Sequence, residues 1–146
     1  MVDVGQKPVT RRTAIARGFV IMQRETLSAI QGGNVPKGEV LAVARVAGIM
    51  AAKRCGEFIP LCHGLNVESV QVEFDSTQVH GNQARAALKI TATAAISAKT
   101  GVEMEALLAV SIAALTVYDM CKAIDKTMVI EAIELIQKTG GQHSNV

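Results

Sequence analysis

A chain of 146 residues has the length of one domain, and 49% hydrophobic residues suffice for a core, so residues 1–146 are predicted to form a single domain. Aromatic residues make up only 3% of the chain, which argues against stacking of nucleobases on an aromatic platform. The net charge of +2 is too small for a nucleic-acid binder, so no nucleic-acid partner is expected. This small positive charge is compatible with a small anionic ligand bound by a few lysines and arginines.

The cysteines and the apolar segments indicate in which cellular compartment the protein is expected. Three cysteines with no Cys-x-x-Cys pair are typical of free thiols in a reducing environment. The first ten residues lack the apolar core of a signal peptide. Residues 102–121 are apolar enough to suggest a membrane span, but they include Glu103, Glu105 and Asp119, and charges at membrane depth are costly. The sequence therefore predicts a buried helix here, a cytoplasmic protein and no membrane partner.

The first 55 residues predict a polar arm, a short strand, a helical turn and one long helix. The first seventeen residues are polar and basic, and we expect a mobile N-terminal arm over about 1–17. A strand is predicted over 18–23 and a helical turn over 24–30, before the sequence Gln-Gly-Gly-Asn. Residues 39–55 predict a long, largely buried helix in which Gly48 marks close packing.

The remaining elements are, in chain order, a loop over 56–64, a strand over 67–74, a turn at 80–82, a strand over 84–96 and a second long helix over 103–123. Residues 128–138 fit either a helix or a strand, and about 139–146 predict a loose tail. With a final strand, the order is the ferredoxin-like β-α-β-β-α-β of the α+β class. Its antiparallel sheet would carry the two long helices on one face and leave the other face to solvent or another subunit.

Asp119 and Lys122 form the strongest local candidate for chemistry. They are three positions apart near the end of the second long helix, so they share one helix face. A carboxylate beside an ammonium group can relay protons if burial moves the pKa values toward neutrality. A helix-terminal ion pair explains the spacing equally simply, and spacing alone favours that interpretation.

Glu103 and Glu105 open the same helix, in the sequence Lys-Thr-Gly-Val-Glu-Met-Glu. Acidic residues in a first turn complement the helix dipole. A carboxylate could also bind the amino and imino groups of a guanine-like ring. The two side chains point roughly opposite ways, so at most one of them faces a given site.

Cys62 and His63 lie in a loop after a proline, a common place for binding residues. Adjacent Cys and His side chains diverge, and no further ligands follow at regular spacing, so no metal site is predicted. A substrate contact or general acid at His63 is favoured over a purely structural histidine. The scattered basic residues could converge on a triphosphate or lie on a solvated surface; they are Arg12, Lys37, Lys53, Lys122 and Lys138.

Four segments in order resemble the cyclic pyranopterin monophosphate synthase family of molybdenum cofactor biosynthesis, across nearly the whole chain. They are Met1–Val4, Ile59–His63, Lys99–Leu107 and Tyr118–Ala123. The resemblance implies a ferredoxin-like fold and a homo-oligomer, a hexamer built as a trimer of dimers with the active site at a dimer interface. It implies a lyase that converts (8S)-3',8-cyclo-7,8-dihydroguanosine 5'-triphosphate to cyclic pyranopterin monophosphate and releases pyrophosphate. No cofactor is required, and Mg²⁺ is left open as a companion of the triphosphate.

The resemblance also implies roles for individual residues. Asp119 and Lys122 would be the acid–base pair, with Lys37 a second catalytic lysine. The residues expected to line the substrate pocket or contact the triphosphate are Leu61, Cys62, His63, Glu103, Met104, Glu105, Lys53, Arg12 and Lys138. Positioned acids and bases suit a ring rearrangement, and positive charge suits the departure of pyrophosphate.

One position departs from the family pattern, in which proline usually follows the Cys-His pair. Gly64 stands there and admits more backbone conformations, which puts the position of His63 in doubt. Two other functions stay open at this point. One is a non-catalytic ferredoxin-like assembly module, and the other is a different enzyme acting on purine nucleoside triphosphates.

Overall fold

The computed structural model describes residues 1–79 and 81–141. Its elements, in chain order, are β1 (Thr10–Gln23), α1 (Arg24–Gln31), α2 (Val40–Lys53), α3 (Cys55–Phe58), β2 (Ser69–Gln78), β3 (Arg85–Ala98), α4 (Glu103–Cys121) and β4 (Val129–Thr139). The predicted α+β, ferredoxin-like arrangement is confirmed, with α2 and α4 as its two long helices. The segment that fitted either a helix or a strand is the strand β4.

The four strands form one antiparallel sheet in the order β2-β3-β1-β4. The central pair is in continuous register, from Thr10 opposite Ala98 to Gln23 opposite Arg85. The β1–β4 pairing is interrupted twice by bulges. Bulges and an edge position explain why the apolar residues of β4 do not show a clean two-residue period.

The two long helices cover one face of this sheet. Alternate residues of β1, among them Ala16 and Val20, are buried against the helices. At the α2–α4 contact a Cβ atom on Gly48 would lie 2.8 Å from the carbonyl oxygen of Ala109. The predicted close packing at Gly48 is therefore confirmed, because the backbones approach too closely for any side chain there.

Helix α4 is long and apolar enough to cross a membrane by length and composition alone. Within the domain it packs against α2 and all four strands, and nine of its residues are buried. This is the arrangement of a core helix, as the charges at its ends predict.

The N-terminal arm predicted over about 1–17 was wrong for residues 10–17, which form the first half of β1. The arginines of this segment suggested a solvated arm rather than a strand. In the structure they form ion pairs on the face of the sheet that the helices leave uncovered. Arg17 pairs with Glu134 at 2.7 Å, and Arg11 pairs with Glu68. The loop predicted over 56–64 contains the short helix α3. The predicted tail begins at Thr139, still within β4, and the rest of it from residue 142 lies outside the described residues, as does His80 of the predicted turn.

Candidate active site

Three charged side chains meet at the C-terminal end of α4. Asp119 accepts a hydrogen bond from Nζ of Lys37 at 2.7 Å through Oδ2, and its Oδ1 lies 2.8 Å from Nζ of Lys122. All three side chains are about half exposed. The structure thus brings together the three residues that were predicted to be catalytic.

Local structure explains how Lys37 reaches the helix. Buried Val35 anchors the loop between α1 and α2, and the N–H of Gly38 closes a turn onto the Val35 carbonyl at 3.0 Å. Gly38 has φ of 103°, a left-handed conformation that glycine adopts without strain. Asp119 and Lys122 need no such loop, because their three-residue spacing places them on one helix face as predicted.

The two lysines determine the charge state of Asp119. Hydrogen bonds from Lys122 and then Lys37 lower the pKa of Asp119 to about 2, and the same contact with Asp119 raises the pKa of Lys122. At neutral pH the carboxylate is therefore ionised. It can hold and orient two ammonium groups, and those groups carry the protons available for transfer.

A second cluster lies at the opposite end of α4, around a cavity of about 340 Å³. Its charged lining residues are Lys7, Arg12, Lys99, Glu103 and Lys138. Glu103 accepts a hydrogen bond from Lys138 at 3.1 Å, so three of the predicted substrate-binding residues meet here. The excess of basic groups beside the N-terminus of α4 suits a polyanion.

Sequence reasoning missed Lys7 and Lys99 in this cavity. Lys99 is the first residue of the Lys-Thr-Gly-Val-Glu-Met-Glu motif that also contains Glu103. Its place in that motif could therefore have predicted that it lies at the same site. It also donates a hydrogen bond to the Gly5 carbonyl at 2.7 Å, which holds the N-terminal segment near the cavity. Lys7 gave no comparable signal, because it lies in a segment without periodicity.

The backbone after β4 closes one side of the cavity. Gly140 has φ of 91°, and a Cβ atom there would lie 2.1 Å from the carbonyl oxygen of Arg11. A side chain at Gly140 would thus collide with the backbone of β1. The adjoining Arg12 has a buried Nε with no hydrogen-bond partner in the described part of the chain.

A third cluster contains Cys62 and Glu105, joined by Cys55, which the sequence did not single out. Glu105 is only 1% exposed, and neither carboxylate oxygen has a hydrogen-bond partner among residues 1–79 and 81–141. Burial raises the pKa of Glu105 and outweighs the opposing effect of its own backbone N–H, and the charge of Glu103 adds to the rise. Burial and the nearby Glu105 carboxylate raise the pKa of Cys55 to about 12 and raise that of Cys62 as well.

The other predicted site residues lie on the surface or only partly within it. Leu61 is exposed, Met104 is half-buried, and Nε2 of His63 lies 2.9 Å from the Val2 carbonyl oxygen. Lys53 is exposed in the last turn of α2 and takes part in no ion pair within the described ranges. Gly64 is not left-handed, and a Cβ atom there would meet open space, so this position makes no use of glycine's freedom.

One chain does not bring all the predicted residues together. Glu103 and Asp119 are sixteen positions apart in α4. At a rise of about 1.5 Å per residue their backbones are about 24 Å apart. The lysine–aspartate cluster and the basic cavity therefore belong to opposite ends of the domain.

Known proteins match this chain along its whole described length. It is similar to the cyclic pyranopterin monophosphate synthase of Chloroflexus aurantiacus, with 62% identity over 142 residues, 97% of this chain and 84% of the relative. The enzymes of the same name from Novosphingobium aromaticivorans and Heliobacterium modesticaldum are 56% and 53% identical over 142 residues, with 97% of this chain and 86% of each relative covered. The MoaC family model matches residues 1–141. With the fold and the ordered motifs, these matches show that the chain belongs to the MoaC family.

Proposed function

We propose that this protein is a cyclic pyranopterin monophosphate synthase, a lyase of molybdenum cofactor biosynthesis. It converts (8S)-3',8-cyclo-7,8-dihydroguanosine 5'-triphosphate to cyclic pyranopterin monophosphate and releases pyrophosphate. The relatives that bear this enzyme's name cover almost the whole chain. The structural observation that carries the proposal is Asp119 bound to both Lys37 and Lys122, because it supplies paired proton donors and a fixed carboxylate.

The proposed division of roles follows from the charges. Lys37 and Lys122 transfer protons during the ring rearrangement, and the ionised Asp119 orients them. Arg12 and Lys138 bind the triphosphate in the basic cavity, where positive charge stabilises the leaving pyrophosphate. The base is contacted by Glu103, Met104 and Glu105 and by the loop residues Leu61, Cys62 and His63, with Lys53 a further phosphate contact.

The active site is completed by a second copy of the chain. The separation of about 24 Å between the two clusters is too long for one substrate to react at one end while bound at the other. A dimer interface can join the lysine–aspartate cluster of one copy to the basic cavity of its partner. We propose a hexamer built as a trimer of dimers.

The surface of α2 supports such an assembly. Val43, Val46 and Met50 are spaced to share one helix face, and each is close to half exposed or more. Leu115 of α4, the neighbouring helix, is 54% exposed. Apolar side chains grouped on adjacent helices mark a surface that another subunit can cover.

The remaining parts of the proposal concern the setting of the reaction. The protein acts in the cytoplasm as a single domain on a small-molecule substrate, without nucleic-acid or membrane partners. No cofactor is required for proton transfer by Lys37 and Lys122, and a Mg²⁺ ion can accompany the triphosphate.

A single-turnover assay tests the function. The purified protein is mixed with enzymatically prepared cyclic dihydroguanosine triphosphate, and pterin product and pyrophosphate are both measured. Lys122→Ala is compared with Lys126→Ala, which removes an exposed lysine a few residues away, and circular dichroism confirms that both variants fold.

Product from the wild type and Lys126→Ala, but not from folded Lys122→Ala, supports the lyase. Absence of product with a folded wild-type protein overturns it and favours the non-catalytic assembly module. Release of pyrophosphate or phosphate from GTP itself would instead indicate a different nucleotide-acting enzyme.

A further inference from the structure

A stripe of exposed and half-buried side chains on α4 joins the two ends of the divided site. Its members recur every three or four positions, so they share one helix face. They are Met104, Leu108, Ser111, Leu115, Asp119 and Lys122. Leu115 is 54% exposed. This α4 stripe begins and ends at candidate site residues and carries apolar side chains between them, which indicates a surface for a protein partner.

Ser111 lies midway between the two ends of the site. Glu103 is eight positions before it and Asp119 is eight positions after it, about 12 Å away in each direction along the helix. A two-fold axis that passes beside Ser111, perpendicular to α4, would therefore place Glu103 of one copy opposite the partner's Asp119. The same axis creates two such pairs, one at each end of the two helices.

We propose that two copies of this chain pack their α4 helices antiparallel about that axis, with the α4 stripe as the contact. Two-fold dimers are by far the commonest symmetric assemblies of identical chains. Packed helices lie about 8–10 Å apart, so the pair brings the lysine–aspartate cluster of one copy to the α4 N-terminus of its partner. Within one chain the same groups are about 24 Å apart.

The direction of the pair follows from the positions of the site residues. In a parallel pair each residue would face its own copy, and the lysine–aspartate cluster would stay about 24 Å from either basic cavity. Antiparallel pairing also places opposite ends of two helix dipoles side by side, which is favourable. The inference rests on the proposed function, which needs both groups at one substrate, and it adds the contact that completes the site.

The centre of the α4 stripe is suited to close packing against a second copy. The Ser111 side chain is small, and its hydroxyl donates a hydrogen bond to the Leu107 carbonyl of the same helix at 2.8 Å. A partner can cover this hydroxyl without leaving it unpaired, so its burial carries little polar cost. Leu108 and Leu115 lie about one turn to either side, and Met50 of the neighbouring α2 is 46% exposed. These apolar side chains fit the same stripe of another copy better than a charged partner.

Disulfide cross-linking of Ser111→Cys tests the pair. With helix axes about 8–10 Å apart and Cα atoms about 2.3 Å from each axis, the facing Cα atoms are about 3.4–5.4 Å apart, close to the 4.4–6.8 Å that a disulfide spans. The full chain is oxidised at low protein concentration and separated under non-reducing, denaturing conditions. We expect most of the protein at twice the mass of one chain, and single chains again after reduction.

Leu115→Cys is the matched control, because it lies on the same stripe but four positions from the axis. Its two copies would be about 12 Å apart along the helices, which is too far for a disulfide. This variant should therefore remain as single chains. The wild type, treated alike, measures any background from Cys62, which is partly exposed.

Single-turnover activity of the same samples separates this inference from the proposed function. Cross-linked Ser111→Cys should still form pterin product, since Ser111 takes no part in the chemistry. A Ser111→Cys variant that is folded by circular dichroism but stays a single chain would overturn the pair and leave the stripe to a different partner. Equal cross-linking of Ser111→Cys and Leu115→Cys would also overturn it. Cross-linking at Ser111→Cys alone, without product from the variant or the wild type, would support the pair and contradict the lyase.

Discussion

Oδ2 of Asp119 lies 2.7 Å from Nζ of Lys37, a residue 82 positions away in the chain. The contact joins the loop between α1 and α2 to the last turn of α4, while Lys122 occupies the other carboxylate oxygen. One carboxylate thus fixes two ammonium groups that belong to separate elements. This arrangement distinguishes the cluster from a simple helix-terminal pair.

Replacing Asp119 by Asn should reduce activity by about 10²–10⁴-fold, the usual contribution of a positioned proton-transfer group. The amide keeps the size of the side chain but loses the charge that orients both lysines. Single-turnover product formation is the measurement. Asp75→Asn is the control, since Asp75 also pairs with a lysine, at 3.5 Å on a strand, and should retain activity. Equal activity in the two variants would mean that the Asp119 cluster is only structural.

The same substitution should lower the pKa of Lys122. Asp119 raises that pKa by stabilising the protonated ammonium group, so removal of the carboxylate charge shifts the titration of Lys122 to lower pH. Carbon NMR of labelled lysine side chains, assigned with Lys122→Ala, follows the titration directly. An unchanged titration of Lys122 in Asp119→Asn would contradict the ion pair.

Substituting Gly140 by alanine should destabilise the protein by at least about 1–3 kcal/mol, the usual cost of a residue held in an unfavourable backbone region. At Gly140 the left-handed backbone and the Arg11 carbonyl oxygen both oppose a Cβ atom. Gly64→Ala is the matched control: its Cβ atom meets open space, and stability should change by less than about 0.5 kcal/mol. Urea unfolding at neutral pH measures both, and similar losses at the two glycines would argue against the described path of the chain after β4.

Sequence patterns predicted the fold where one face of an element is buried. The shared face of Asp119 and Lys122 followed from helical spacing. The edge strand β2 followed from its alternating residues, and β3 and the second half of β1 followed from residues of high strand propensity. The first half of β1 was missed because the arginines on its uncovered face look like a solvated arm. Lys37 could be joined to Asp119 only through the resemblance, since no local pattern reports a contact across 82 positions.

Local sequence patterns also could not predict that the candidate site residues lie at opposite ends of the domain. The sequence predicts that Glu103 and Asp119 lie on one helix, but the family resemblance assigns both of their motifs to one active site. The length of α4 separates them, and in the proposed assembly a second copy brings the two kinds of residue together. A site divided between subunits makes a specific prediction about mixtures of inactive variants.

Co-expression of Lys122→Ala with Lys138→Ala should restore activity that neither variant has alone. If each site combines the cluster of one copy with the cavity of the other, a mixed dimer has one site with neither substitution and one with both. Random pairing at equal amounts makes half of the dimers mixed, so about a quarter of all sites are native in a two-fold symmetric assembly. Different affinity tags isolate the mixed dimers, and the single-turnover assay measures recovery. Activity no higher than that of the separate variants would place the whole site in one chain.

Asp125 should link the stability of the fold to pH. It is 2% exposed and accepts hydrogen bonds from the backbone N–H groups of Gln23 and Thr127 and from the hydroxyls of Thr26 and Thr127. Burial opposes its ionisation, but these hydrogen bonds outweigh that effect and lower its pKa to about 2. The stability that Asp125 contributes is therefore complete above about pH 4, its unfolded pKa, and falls as the pH drops toward 2. The change amounts to at most about 2–3 kcal/mol, at about 1.4 kcal/mol per pKa unit.

Urea unfolding of the wild type and Asp125→Asn as a function of pH tests this link. The amide carries no charge and presents an N–H₂ group to backbone donors, so Asp125→Asn should lose about 1–3 kcal/mol at pH 7. Between about pH 4 and pH 2 the two proteins should converge, because the unfolded wild type takes up its proton near pH 4 and the folded carboxylate only near pH 2. Asp75→Asn provides the control at an exposed aspartate, and its difference from the wild type should stay small throughout. A stability gap between wild type and Asp125→Asn that is the same at pH 3 and pH 7 would contradict the ionised, hydrogen-bonded state of Asp125.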